Sequence, residues 1–273
     1  MTTPTRKSVT VPMLQMMKSA GEKIVMVTAY DSTFARIVDD AGVDAILVGD
    51  SVATVMQGHT NTIPVTLSEM AYHTTLVRRA QPKALVVGDL PFGSYQVSAH
   101  QGIESSVVLM KAGAQCVKLE GGTTVAATIE AITHADIPVM GHIGLTPQSV
   151  HRMGGHKVQG RQEGVEPGGR QRLLDDAHAV EQAGAFAVVL EGIPTELAQE
   201  ITSKISIPTI GIGAGLFCDG QVLVMHDILG LSERELTFTK KYVDMKSLAT
   251  NAFQEFAQDV RNGSWPDDKH SFH

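Results

Sequence analysis

Cysteine is nearly absent: Cys116 and Cys218 are the only two in 273 residues, so no disulfide framework is implied and a reducing, cytoplasmic setting is expected. No apolar run approaches the ~18 residues that a membrane-spanning helix requires. The first twenty residues, MTTPTRKSVTVPMLQMMKSA, carry a basic pair but neither the continuous apolar segment nor the small-residue cleavage site of a secretory signal. Positive charge is also in short supply. The 22 Lys and Arg are outnumbered by 29 Asp and Glu, a formal net charge of −7, and the basic residues are scattered instead of striped. That pattern argues against a nucleic-acid partner. Linkers and low-complexity tracts are missing as well. With 43% apolar residues, the chain has what it needs to bury a sizeable core.

What the sequence does have is alternation. Short apolar runs fall at Ile24 to Ala29, Ala45 to Val48, Ala84 to Gly88, Cys116 to Leu119, Pro138 to Ile143, Phe186 to Leu190, Thr209 to Ile212 and Val222 to Met225. Their consecutive apolar residues mark parallel strands covered on both faces. Helical segments lie between them. Thr66 to Arg79 opens as T-L-S-E, a capping-box pattern; Ser98 to Ala112 and Gly169 to Ala183 carry spaced apolar residues; Pro194 to Lys204 begins with a proline suited to a first turn. Gly42, Gly113 and Gly184, each in an Ala-Gly step before a strand, suit left-handed helix stops. The strand ends recur at roughly the ~30-residue interval of one βαβ unit, and eight units in about 250 residues is the usual size of a (β/α)8 TIM barrel. A doubly wound open sheet competes, since periodicity alone does not exclude it. We therefore expect an α/β protein, a single (β/α)8 barrel domain over 1–273, with its core at about 22–230, an extra N-terminal helix, and a C-terminal helix (Tyr242 to Arg261) and tail within 231–273.

In such a barrel the residues just past the strands converge on one face, where active sites of this fold sit. Four runs stop on an acid: Asp50 in LVGDS, Asp89 in ALVVGD, Glu120 in CVKLE and Glu191 in FAVVLE. A single strand-end Asp is ordinarily a helix cap or turn residue; four in equivalent places call for another explanation. Carboxylates gathered in one cleft repel unless something positive sits among them. With oxygen ligands in the majority and no thiolate at a strand end, Mg2+ or another hard divalent ion suits them. Lys118, on the same strand face as Glu120, is a second candidate cation, or a structural ion-pair partner. His142 in GHIGLTP is either a satisfied core histidine or a functional one. The glycines of GIGAG, 211–215, suit either phosphate binding or close backbone packing.

The set LVGDS, GHTNTIPVT with YHTTLVRR, GDLPFGSY, VKLEGG, GHIGLTPQS, GGHKVQGR, VVLEGIP and IPTIGIGAGLFCDGQVLVMHDILG, running from about Leu14 to the terminal HSFH, closely resembles the ketopantoate hydroxymethyltransferase family. The resemblance implies a phosphoenolpyruvate/pyruvate-type barrel that transfers a hydroxymethyl group from 5,10-methylenetetrahydrofolate to 3-methyl-2-oxobutanoate, giving 2-dehydropantoate through a metal-stabilised enolate, in pantothenate and coenzyme A biosynthesis. It implies Asp50 and Asp89 as Mg2+ ligands, with Glu120 coordinating directly or through water. Ser51 and Lys118 match keto-acid contacts, with Asp50, Asp89 and His142 also facing the substrate, and Glu191 matches the catalytic proton acceptor. A homo-oligomer, often a decamer, is implied by resemblance alone. One departure is visible: Val52-Ala53 stands where the family usually has Leu-Gly. The stretch from Gly154 to Arg170 is long, glycine-rich and charged, the marks of a mobile flap; from charge we expect Arg152, Lys157, Arg161 and Arg170 to meet the glutamate tail of the folate. A lyase or mutase of the isocitrate lyase/phosphoenolpyruvate mutase type is the rival reading, although its cysteine-bearing loop has no counterpart here.

Overall fold

The structure, a computed structural model, describes residues 6–164, 166–233 and 236–273. Eight parallel strands close a barrel in sequence order: β1 (Ile24–Thr28), β2 (Ala45–Val48), β3 (Leu85–Asp89), β4 (Cys116–Lys118), β5 (Val139–Gly144), β6 (Ala187–Glu191), β7 (Thr209–Ile212) and β8 (Gly220–Leu223). Among the described residues the helices are α1 (Val11–Ala20), α2 (Ser32–Asp40), α3 (Val52–Val55), α4 (Leu67–Arg79), α5 (Ala99–Ala112), α6 (Ala126–His134), α7 (Val150–Met153), α8 (Arg170–Gln182), α9 (Thr195–Lys204), α10 (Met225–Leu229) and α11 (Met245–Asn262). The chain divides after Val224 into two compact units. All eight strands lie in the first; α10 and α11 lie in the second, Met225–His273.

The strands follow from their composition. Every residue of β2, β3, β4 and β5 is buried, as a parallel strand between barrel interior and surrounding helices must be. Inward-facing Met26, Leu47, Val87, Met140 and Val189 pack with Leu14 of α1, which lies across the end of the barrel where the strands begin. Closure needs a residue without a side chain. At Gly220, where β8 pairs with Ile24 of β1, a Cβ would stand 2.5 Å from the Ile24 carbonyl oxygen.

Local signals place the helices. Thr66 accepts the Glu69 amide while Glu69 returns a bond to the Thr66 amide, completing the expected capping box on α4. Ser98 caps α5 by accepting the Gln101 amide. Gly42, Gly113 and Gly184 have φ of 86°, 111° and 88°, the left-handed stops expected of them. Most boundaries shift by a residue, and α11 begins at Met245 instead of Tyr242; two further differences have a physical reason. β8 lies two residues earlier than Val222 to Met225, because its ladder to β1 starts at Gly220, and Met225 already begins α10. Pro194 is the residue before α9, not its first turn; with ψ of 142° it leads the chain into the helix.

Candidate active site at the strand ends

The expected residues meet at the barrel face where the strands end. Asp50 follows β2, Asp89 ends β3, Lys118 ends β4 with Glu120 two residues on, His142 lies in β5 and Glu191 ends β6. Asp50, Asp89, Lys118, Glu120 and His142 are all 5% exposed or less. Contacts link them into one chain. The Asp50 amide donates to Asp89 Oδ2 at 3.1 Å, and Lys118 Nζ donates to Asp89 Oδ1 at 2.7 Å. Lys118 Nζ stands 3.9 Å from Glu120 Oε1. His142 lies between two acids, Nδ1 3.4 Å from Glu120 and Nε2 3.2 Å from Glu191. Neither ring nitrogen makes a well-aligned hydrogen bond, so these contacts are ion pairs held by charge. Ser51 immediately precedes α3, its Oγ 2.9 Å from the Tyr30 hydroxyl.

Crowding sets the protonation. Burial, then the neighbouring charges of Asp89 and Glu120, push the Asp50 carboxyl well up, against the opposing pull of Lys118 and Gln148. Burial also raises Asp89, less far because Lys118 pairs with it. For Glu120 burial pulls upward but His142, Lys118 and the Gln148 amide outweigh it, and its carboxyl is lowered. Burial and Lys118 work against a charged His142, yet the two flanking carboxylates prevail and lift it to about 9. Two cationic groups, Lys118 and His142, thus stand among four acids, and Asp50 is the acid whose charge burial and its acidic neighbours oppose most.

Two residues that sequence reasoning passed over complete the site. Gln148, 5% exposed in the short 3-10 turn Pro147–Ser149 after β5, donates from Nε2 to Asp50 Oδ2 at 3.0 Å and from its amide to Glu120 Oε2 at 3.0 Å. Tyr95, fully buried, donates its hydroxyl to Gln148 Oε1 at 2.7 Å and lies 3.1 Å from the Glu120 amide, which donates to it. Both lay in quoted motifs, GHIGLTPQS and GDLPFGSY, but neither carries a charge that would single it out.

Gly144 shapes the rim beside Glu191. Its φ is 95°, and a Cβ there would stand 2.3 Å from the Glu191 carbonyl oxygen. The departure at Val52-Ala53 is accommodated, since both side chains are buried in α3 and Ala53 is not among the described non-glycine residues with positive φ. Two glycines of 211–215 are closely packed: a Cβ on Gly211 would meet Cys218 Sγ at 2.9 Å, and one on Gly215 would meet Thr195 Oγ1 at 2.4 Å.

A cavity of about 920 Å3 opens beside these acids, reaching Glu120 and Gln148 and lined further out by Phe92, Arg152, Lys157 and Arg161. The 154–170 segment covers part of it; Val165 lies outside the described residues. The Gln159 amide ties that segment to the Gly192 carbonyl at 2.9 Å, and the Gly160 amide to Gly168 at 2.7 Å. Arg170 is not among the lining residues; it pairs with Glu200 and stands 4.0 Å from Glu163. Among the described residues no three His, Cys, Asp or Glu side chains form a ready-made metal shell. Two carboxylates completed by substrate and water oxygens nevertheless suit Mg2+, which keeps several waters, and Asp50 Oδ1 accepts no hydrogen bond from the described residues.

The sequence profile of ketopantoate hydroxymethyltransferase matches residues 8–268. The chain belongs to the ketopantoate hydroxymethyltransferase family. Relatives of this hydroxymethyltransferase family named 3-methyl-2-oxobutanoate hydroxymethyltransferase include one from Geobacter metallireducens, 58% identical over 95% of this chain and 96% of the relative, and one from Trichlorobacter lovleyi, 55% identical over 98% and 99%. Among solved structures, phosphonopyruvate hydrolase, crystallised with oxalate and Mg2+, superposes with a TM-score of 0.63 at 14% identity, covering 96% of this chain and 93% of the other. The 2,3-dimethylmalate lyase of the PEP mutase/isocitrate lyase superfamily gives 0.60 at 15%, over 96% and 91%. That distant likeness is one of fold, and the chemistry of this family member is argued from its own residues.

Proposed function

We propose that this family member transfers a hydroxymethyl group from 5,10-methylenetetrahydrofolate to 3-methyl-2-oxobutanoate, with water supplying the hydroxyl oxygen, to give 2-dehydropantoate and tetrahydrofolate for pantothenate synthesis. The observation that carries the reading is the single buried chain of Asp50, Asp89, Lys118, Glu120, His142 and Glu191 at one barrel end.

The keto acid has a tertiary C–H beside its ketone, a weak carbon acid, so the site must stabilise the enolate as the proton leaves. A divalent cation held by Asp50 and Asp89 would draw electron density from the keto and carboxylate oxygens when bound. Glu120 would hold the cation directly or through water; one of its oxygens, Oε2, accepts from the Gln148 amide. Lys118 contributes a fixed positive charge to the bound anion, and its pairing with Asp89 supports that it stays protonated: the three carboxylates outweigh the cost of its burial and raise its pKa. Ser51 would donate its hydroxyl to the substrate; its Oγ lies 2.9 Å from the Tyr30 hydroxyl, which can serve as the donor of that pair.

Glu191 takes the C3 proton. Its side chain is 14% exposed where those of its neighbours are 4% or less, which makes it the most accessible acid of the group; His142, 3.2 Å away, holds the carboxylate in place. The enolate carbon then attacks the one-carbon donor. The cavity beside Glu120 is the proposed folate site, with Phe92 available for stacking and Arg152, Lys157 and Arg161 for the glutamate tail; Arg170, paired elsewhere, is removed from that role.

The test is a discontinuous assay of ketopantoate formation from the keto acid and methylenetetrahydrofolate. Product should form with Mg2+, stop with chelator and return when excess Mg2+ is added. Product formed equally well in thoroughly chelated protein would remove the cation from this reading, and no product under any condition would remove the reading itself.

A further inference from the structure

We propose that Gln148 is a positioning residue, a neutral clamp that fixes the rotation of the Asp50 carboxylate and so keeps its other oxygen turned toward the ligand. The inference rests on the functional reading above and goes beyond it, since nothing in the reaction requires a glutamine.

Every hydrogen-bonding position of the Gln148 side chain is used. Its two Nε2 hydrogens go to Asp50 Oδ2 and to the Leu90 carbonyl, both at 3.0 Å. Its Oε1 accepts from the Tyr95 hydroxyl at 2.7 Å and from Gln96 Nε2 at 3.3 Å. Rotating the amide by half a turn would set Oε1 against a carboxylate and a carbonyl, two acceptors facing an acceptor in a buried place, which costs far more than a neutral hydrogen bond returns. The amide therefore has one orientation, and Tyr95 latches it. The backbone of the same residue reaches a second acid, its N–H bonding Glu120 Oε2 at 3.0 Å.

The consequence appears at the carboxylates. Asp89 has both oxygens occupied, by Lys118 and the Asp50 amide. Glu120 has both engaged as well. Asp50 keeps one oxygen, Oδ1, with neither a hydrogen bond nor an ion pair from the described residues, whereas Glu120 Oε1 has the ion-pair contacts of His142 and Lys118; Gln148 holds the other Asp50 oxygen and with it the plane of the carboxylate. A lysine here would satisfy Oδ2 equally well but would compete with the cation; an amide directs the carboxylate without adding charge.

The experiment compares the wild type with Gln148→Met, which keeps length and volume but cannot donate, and with Tyr95→Phe, which leaves Gln148 in place but removes its latch together with the acceptor of the Glu120 amide. Mn2+ alone is titrated into each protein and followed by electron paramagnetic resonance; thermal melting and steady-state kinetics are recorded alongside. Gln148→Met should weaken Mn2+ binding and lower kcat by about 10–100-fold, the usual effect of losing a partner of a metal ligand, in protein that still melts cooperatively. Tyr95→Phe should shift both in the same direction by less. Should Gln148→Met fail to fold, Tyr95→Phe decides alone. A variant with wild-type Mn2+ affinity and kcat, or one whose only change is a lower melting temperature, overturns the clamp. A wild type that neither binds Mn2+ nor turns over overturns the functional reading, and the clamp with it.

Discussion

At the scale of single residues the site is an exercise in placing charge where water cannot screen it. Lys118 and Asp89 are nearly unexposed and 2.7 Å apart. Breaking such a pair from one side leaves a buried charge without compensation, so Lys118→Met should cost about 3–5 kcal/mol of stability, measured by urea denaturation, as well as abolishing turnover. Lys118→Arg should fold better but not restore activity, because a planar fork does not occupy the place of a point charge. Gly144 is a second lever. Alanine there must adopt a φ of 95° and displace the Glu191 carbonyl; Gly144→Ala should lower kcat at least as much as it lowers the melting temperature, whereas Gly155→Ala, with open space around its Cβ position, should pay only the backbone strain. The acids were legible in the sequence because each ends an apolar strand, an uncommon place for a charge. Gln148 and Tyr95 were not. An uncharged glutamine 98 residues from Asp50 betrays its role only once folding has brought β2 and β5 to the same barrel end.

At the scale of elements, periodicity and caps marked all eight strands and the longer helices α4, α5, α8 and α9, since a parallel strand covered on both faces has few ways to be written; α3, α6, α7 and α10 went unmarked. The misplaced boundary at β8 has a physical reason. Gly220 and Gln221 are poor strand formers by composition, and they are strand only because closure onto β1 supplies their partners. Element joints also carry a pH dependence. Glu181 of α8 receives the Ser206 amide and hydroxyl, both at 2.6 Å, from the turn between α9 and β7. Burial pulls its carboxyl upward, but the two Ser206 bonds outweigh burial and hold it low. A lowered folded-state pKa stabilises the fold above the ordinary carboxylate pKa of ~4.3, and that contribution fades as pH falls through the depressed value. Denaturation midpoints followed from pH 7 to 3 should therefore fall less steeply in Glu181→Gln than in the wild type; parallel curves would refute the linkage. At the opposite end of the barrel, Leu14 of α1 is completely buried in the core cluster, and Leu14→Ala should cost about 2–5 kcal/mol without changing the KM for the keto acid.

At the scale of the whole molecule, function depends on closure: the acids of β2, β3, β4 and β6 share one environment only because eight strands complete a cylinder and expose their ends together. Among the described residues no helix is long and apolar enough to cross a membrane, in keeping with the composition. The barrel could be read from the number of repeating units, and the family from motifs spread along nearly the full chain. The cavity could not, because its walls come from the ends of several strands and from the 154–170 segment, whose course no local pattern dictates.

The central claim is that the clustered acids make C3 of 3-methyl-2-oxobutanoate acidic and that Glu191 removes its proton. Deuterium incorporation at C3, followed by proton NMR in D2O with Mg2+ and without the folate, isolates that step. The wild type should exchange C3–H, chelator should stop it, and Glu191→Gln should lose it while still binding Mn2+. Undiminished exchange in Glu191→Gln would contradict the assignment of the base, and a folded, metal-replete wild type with no exchange above the uncatalysed rate would contradict the chemistry proposed for the site.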